Sequence, residues 1–278
     1  MKCLKIKKLN LFLFILAIFE LLCQKKDPEF HDSYRCKVNE KLPPITVQAI
    51  PISQQVNENP SEEPFKGISI YLELTDLRNK TNKIKGDNLE LIITGMKKVV
   101  TTLKSLIKVK PLTKDYRFLD SNLTTYIKEI EDWNKTVIGP NSKSMKDLDT
   151  ELIIIASFQS GMDDVVAIPQ ILFTEAEEEG KVGRPILGSI IINSDIDYQK
   201  QYSANLLNVI ILHEITHILG FTNYYFEQLN FIETKEIDNI PHRYLKSPLV
   251  LEVARKYDNC KNITGVELEE NDSSHWKA

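Results

Sequence analysis

The chain has 278 residues, with 35 Lys and Arg against 39 Asp and Glu and a formal net charge of -4 at pH 7. That length supports one large domain or two subdomains. The mildly acidic balance, spread along the chain, argues against nucleic acid as a partner, and four cysteines in 278 residues exclude a disulfide-dense scaffold.

The chain opens with a basic region, Lys2, Lys5, Lys7 and Lys8, followed by an apolar run from Leu9 to Phe19 that Asn10 interrupts and Glu20 ends. The run is short for a membrane span and sized for a signal-peptide core. Residues 1–23 are therefore expected to be a signal peptide cleaved near Cys23. An uncleaved anchor, giving membrane or cell-surface association, is the alternative. The expected location is the secretory pathway and then the extracellular space or cell surface. Five N-x-[ST] sequons, at Asn79, Asn122, Asn134, Asn262 and Asn271, fit a secreted glycoprotein.

Residues 24–64 are polar and rich in proline and acids, with no helical period. Their position suits a propeptide, and they carry Cys36. Gly67 to Leu74 alternates apolar and polar residues and predicts a half-buried strand. Asn88 to Val109 repeats Leu89, Ile92, Met96, Val99, Leu103 and Ile107 at helical spacing and predicts a long amphipathic helix. Residues 110–148 carry weak signals, with a short helix expected near Thr124 to Trp133.

Glu151 to Phe158 predicts a buried strand. Val165 to Phe173 predicts an edge strand, because Pro169 cannot donate to a ladder. Glu175 to Glu179 predicts a solvated loop, and Ile186 to Asn193 another strand. Ser203 to Gly220 predicts a helix, with Ser203 as N-cap and Gly220 as its left-handed terminator. A further helix is expected over Ser247 to Tyr257. This order predicts an α+β fold, a mixed twisted sheet carrying helices. Residues 65–220, ending with the central helix, are expected to form one subdomain, and residues 221–278 to follow it as a less regular second part.

Within the central helix lies His213-Glu214-Ile215-Thr216-His217. Histidines four apart project from one face, a turn apart, where one zinc ion can take both. Glu214 is rotated by about 100° from His213, since a turn holds about 3.6 residues. It lies beside the metal and can take a proton from a zinc-activated water. The plainer alternative is a pair of hydrogen-bonded core histidines. Against it, two His and a Glu without partners would be costly to bury on so apolar a helix. A catalytic zinc takes three protein ligands and keeps one open position. For the third, Glu233, Glu236, His242 and His275 are the candidates.

Several segments carry a resemblance in the same order. Gly183-Arg184-Pro185 leads into a glycine-containing strand, and Gly220 follows the second His by three residues. Gly265-Val266-Glu267-Leu268-Glu269 precedes Ser274-His275-Trp276. From about residue 66 to its end the chain resembles the leishmanolysin family of zinc metallopeptidases, which are metzincins. The resemblance implies a zincin-like domain, with 65–220 as its N-terminal catalytic subdomain carrying the active-site helix and 221–278 as an insertion and partial C-terminal subdomain. It implies one catalytic Zn2+ held by His213, His217 and His275. It further implies Glu214 as general base and proton donor, and extended polypeptide substrates laid along the edge strand. It implies a propeptide thiolate, Cys36, that fills the open zinc position, with His31 and Asp32 upstream as a loose match. Cys260 resembles a family cysteine normally found in a disulfide. His242 matches no family residue and is expected to be an ordinary surface histidine.

Metzincins also place a methionine turn below the zinc, downstream of the third His. Met1, Met96, Met145 and Met162 all precede His213, and three residues follow His275. The expectation is a chain truncated after the third ligand, with an incomplete C-terminal subdomain, weak zinc binding through His275 and impaired peptidase activity. The competing function is a catalytically impaired surface glycoprotein that acts by binding, as in cell adhesion.

Overall fold

The computed structural model describes residues 35–36, 45–47, 65–74, 77, 88–112, 145, 148–163, 165–176, 182–257, 259–269 and 275. The signal-peptide region, the short helix near Thr124 to Trp133, His31, Asp32 and four of the five sequons lie outside them. Asn262, the remaining sequon, is exposed in a turn.

The N-terminal segment contributes two short strands, β1 (Arg35–Cys36) and β2 (Ile45–Val47). Then come β3 (Lys66–Gly67), β4 (Ile70–Glu73), α1 (Asn88–Leu106), β5 (Lys108–Val109) and β6 (Leu152–Gln159). The long strands β7 (Val165–Ala176) and β8 (Val182–Asn193) follow, then α2 (Tyr198–Gln201), α3 (Ala204–Ile218) and α4 (Asn223–Gln228). A hairpin of β9 (Ile232–Ile237) and β10 (Ile240–Leu245), α5 (Pro248–Tyr257) and β11 (Val266–Glu267) complete the order.

The main sheet runs β1-β7-β8-β6-β4, with β2 also on β7. β4, β6 and β8 are mutually parallel, and β7 runs antiparallel to β8. This is the mixed sheet of an α+β fold. Helices α1 and α3 pack together over one face. They approach closely because Gly95 has no side chain: a methyl there would stand 2.8 Å from Ile211 Cδ1. Gly188 on β8 likewise lets Ile218 of α3 sit directly on the sheet. The core between these layers includes Ile92, Met96, Leu103, Ile154, Ile190, Ile211, Ile215 and Ile218.

Several elements depart from expectation. The predicted strand from Gly67 is split: Lys66–Gly67 pair with β5, and only Ile70–Glu73 join β6. The Glu151 carboxylate, which accepts from the Ser69 N–H at 2.8 Å and pairs with Lys66 at 2.7 Å, holds the crossover. The first helix stops at Leu106, so that Lys108–Val109 can pair with Lys66–Gly67. Glu175 is in β7 rather than a loop, paired with Arg184 at 3.1 Å.

β7 is not an outermost strand. β1 and β2, from the polar segment 24–64 in which no strand was expected, pair in parallel with its outer side: Cys36 lies opposite Ala167 and Ile45 opposite Phe173. Pro169 falls between the two stretches that β1 and β2 cover, where its missing N–H removes no bond to either. β9, β10 and β11 form a separate antiparallel sheet. Its hairpin turns through Asp238 and Asn239, both left-handed at φ 53° and 63°, as two-residue hairpins favour. Behind it, Phe226, Leu245, Val250, Val253 and Leu268 form a second small core.

Candidate metal centre

α3 forms where its sequence caps it. Ser203 Oγ accepts from the Leu206 N–H at 3.2 Å, and the helix then runs apolar side down onto the sheet. At its end Leu219 is the C-cap and Gly220 adopts φ +104°. The Gly220 N–H reaches the His217 carbonyl at 3.0 Å, and the Phe221 N–H reaches that of Thr216 at 3.2 Å. Those two bonds define a Schellman motif. The reversal turns the Phe221 carbonyl back onto the helix, where it accepts from His217 Nδ1 at 2.7 Å. Nδ1 therefore carries the proton, and Nε2 keeps its lone pair for a metal.

His213 and His217 bring their Nε2 atoms to 3.0 Å, with rings edge-to-face at 82°. His275, 62 residues after His213, lies on the same point: its Nε2 is 3.1 Å from His213 Nε2, and the rings stack at 8°. The ligand atoms of the three all lie within 4.8 Å of one another. Tetrahedral zinc with bonds of about 2.0–2.1 Å needs nitrogens about 3.3 Å apart. The triad fits that ion in donor type, number and spacing. Burial first, then the neighbouring His217 and His275, hold the His213 imidazole well below its ordinary value. It is thus neutral at pH 7, the form that binds metal.

Glu214 lies between the two helix histidines in sequence and is completely buried on the next face. It is outside the ligand cluster, as its rotation about the axis requires. The other third-ligand candidates are elsewhere. Glu233 sits on β9, 3.7 Å from Lys235 and 3.8 Å from Lys246, and Glu236 is exposed on the same strand. His242, expected as an ordinary surface residue, is half-buried on β10, with Nδ1 2.7 Å from Glu267 Oε1. Cys260 is exposed with a free thiol.

Two participants escape sequence reading. The Phe221 carbonyl is a backbone group, signalled only indirectly by the glycine before it. Tyr198, fully buried near Glu214, donates toward the Val166 and Asn193 carbonyls at 3.1 and 3.0 Å and so ties β7 to the end of β8 below α3. Nothing in its local sequence marks that role.

Compared with known families, residues 132–278 match a family model described as leishmanolysin, a peptidase family. The match covers just over half of the chain and includes β6 through β11 and all three histidines. The comparison with curated proteins gives no match.

Proposed function

Because the chain belongs to the leishmanolysin family, we propose that it is a zinc-dependent endopeptidase with His213, His217 and His275 as metal ligands and Glu214 as general base. The observation that carries this is the convergence of the three Nε2 atoms, with a buried carboxylate on the adjoining helix face. Zinc bound there would lower the pKa of water toward about 7 and polarise a substrate carbonyl. Glu214 takes the proton of the attacking water and hands it to the leaving amine. His217 is held in its metal-binding tautomer by the Phe221 carbonyl. No covalent intermediate is required.

Substrates are polypeptides, bound extended along β7 by strand addition. β1 and β2 already lie on the outer side of β7. In this reading residues 24–64 are a propeptide that must leave that edge first. Cys36, which β1 sets opposite Ala167, is the proposed thiolate for the open metal position. The leader composition and the exposed Asn262 sequon support a secretory route and an extracellular or cell-surface location.

Glu214→Gln tests the assignment. It is expected to keep bound zinc near the wild-type level and to lower hydrolysis about 10²- to 10⁴-fold, the usual contribution of a general base. Loss of zinc in that variant would make Glu214 a structural residue. Unchanged hydrolysis would remove it from the chemistry, and a wild-type chain that holds zinc yet cleaves nothing would favour a binding role.

A further inference from the structure

The two glutamates that flank Leu268 meet different histidines. Glu267 ends β11 and Glu269 lies just beyond it, with Leu268 buried between them. Leu268 is 1% exposed in the second core, and its N–H is bound to the Arg243 carbonyl at 2.9 Å. That anchor holds the backbone between the two glutamates. Glu267 takes His242, away from the triad. Glu269 takes His275: its Oε2 stands 3.8 Å from His275 Nδ1, and its N–H donates to the His275 carbonyl at 3.0 Å. Glu269 and His275 are thereby joined by one backbone bond and one charge contact.

On the reading of His275 as a zinc ligand, we propose that Glu269 is the positioning residue for it. With Nε2 directed at His213 and His217, Nδ1 is the ring's remaining polar atom, and it faces Glu269. A carboxylate beside Nδ1–H selects the tautomer with its lone pair on Nε2, fixes the ring plane and strengthens the nitrogen as a donor. At 3.8 Å the contact is a charge contact or one bridged by a water, longer than a direct hydrogen bond. His217 has its own outer acceptor in the Phe221 carbonyl. Glu269 gives His275, which comes from a distant part of the chain, the equivalent support. Its side chain is half exposed, so it has little part in core packing.

The test measures zinc affinity of the full chain by competition with a chromophoric chelator, alongside urea unfolding of the metal-free chain. Glu269→Gln and Glu269→Ala should each weaken zinc binding about 10- to 100-fold, the usual effect of removing a ligand's outer partner. The metal-free unfolding midpoint of Glu269→Gln should not move. Glu267→Gln, the same charge change two residues away, should bind zinc like the wild type. The proposal is overturned if Glu269→Gln retains wild-type affinity while His275→Ala loses it, or if Glu267→Gln and Glu269→Gln lose affinity equally. If His275→Ala itself binds zinc like the wild type, the assignment of the third ligand fails, and this proposal with it.

Discussion

Gly220→Ala couples the helix terminus to the metal site. Gly220 has φ +104°, well beyond the left-handed minimum near +57°. Holding an L-residue in that region costs about 1–2 kcal/mol. The added methyl would also stand 3.3 Å from Tyr225 Cδ1, a tight contact. Against this, Ala narrows the unfolded ensemble by about 0.4–1 kcal/mol. The net loss is about 1 kcal/mol, or about 2 °C in Tm for a chain of this size. Any shift of the terminus toward a relaxed φ tilts the Phe221 carbonyl away from His217 Nδ1. Loss of such an outer partner should weaken zinc binding about tenfold. Urea denaturation of the metal-free chain reads the first effect, and chelator competition reads the second. Gly161→Ala is the control: its φ is +74°, and an added methyl meets nothing within 4 Å. It carries a comparable backbone penalty with no tie to the metal site. Unchanged zinc affinity in Gly220→Ala, or equal weakening in both variants, would refute the link from the Schellman turn to His217.

Cys36→Ser should raise peptide hydrolysis by the intact chain before any N-terminal processing; equal latency of variant and wild type would remove Cys36 from the metal site. Tyr198 predicts a loss of stability in alkali. Burial first, then Tyr202 and Glu214, raise its phenol far above the ordinary value, so the folded chain keeps a proton that the unfolded chain releases above about pH 10. This contribution is intact below that pH and is lost as the pH rises beyond it. Tyr198→Phe should cost about 1 kcal/mol near neutrality through its lost hydrogen bonds, and should flatten the alkaline decline measured by urea unfolding. An equally steep decline in the variant would contradict this.

What was legible in the sequence was local. The Ser203 cap, the Gly220 terminator, the His213–His217 spacing and the displaced Glu214 all lie within one helix, where contacts recur every three or four residues. The long strands were legible from their apolar runs, but their ends and neighbours were not. Pro169 led to the reading of β7 as an edge strand and could not announce β1 and β2, which pair with β7 on either side of that proline. Those strands are two and three residues long, too short for any period, and their partner is more than a hundred residues away. The third histidine is a tertiary fact. Charge and spacing left Glu233, Glu236, His242 and His275 open, and only the resemblance of the segment around His275 favoured it. The pairing of His242 with Glu267 joins neighbouring strands of the small sheet, and its register cannot be read from either strand alone.

The central claim is that hydrolysis depends on one metal ion held by this triad. The most direct measurement is cleavage of an unstructured polypeptide by the purified chain, processed if necessary to free β7. It would be made as isolated, after dialysis against a chelator, and during titration with zinc, with Glu214→Gln prepared in parallel. Activity should vanish on metal removal, return in full at one zinc per chain, and stay about 10²- to 10⁴-fold lower in Glu214→Gln at every zinc level. Cleavage that survives metal removal, or appears equally in Glu214→Gln, would contradict the account.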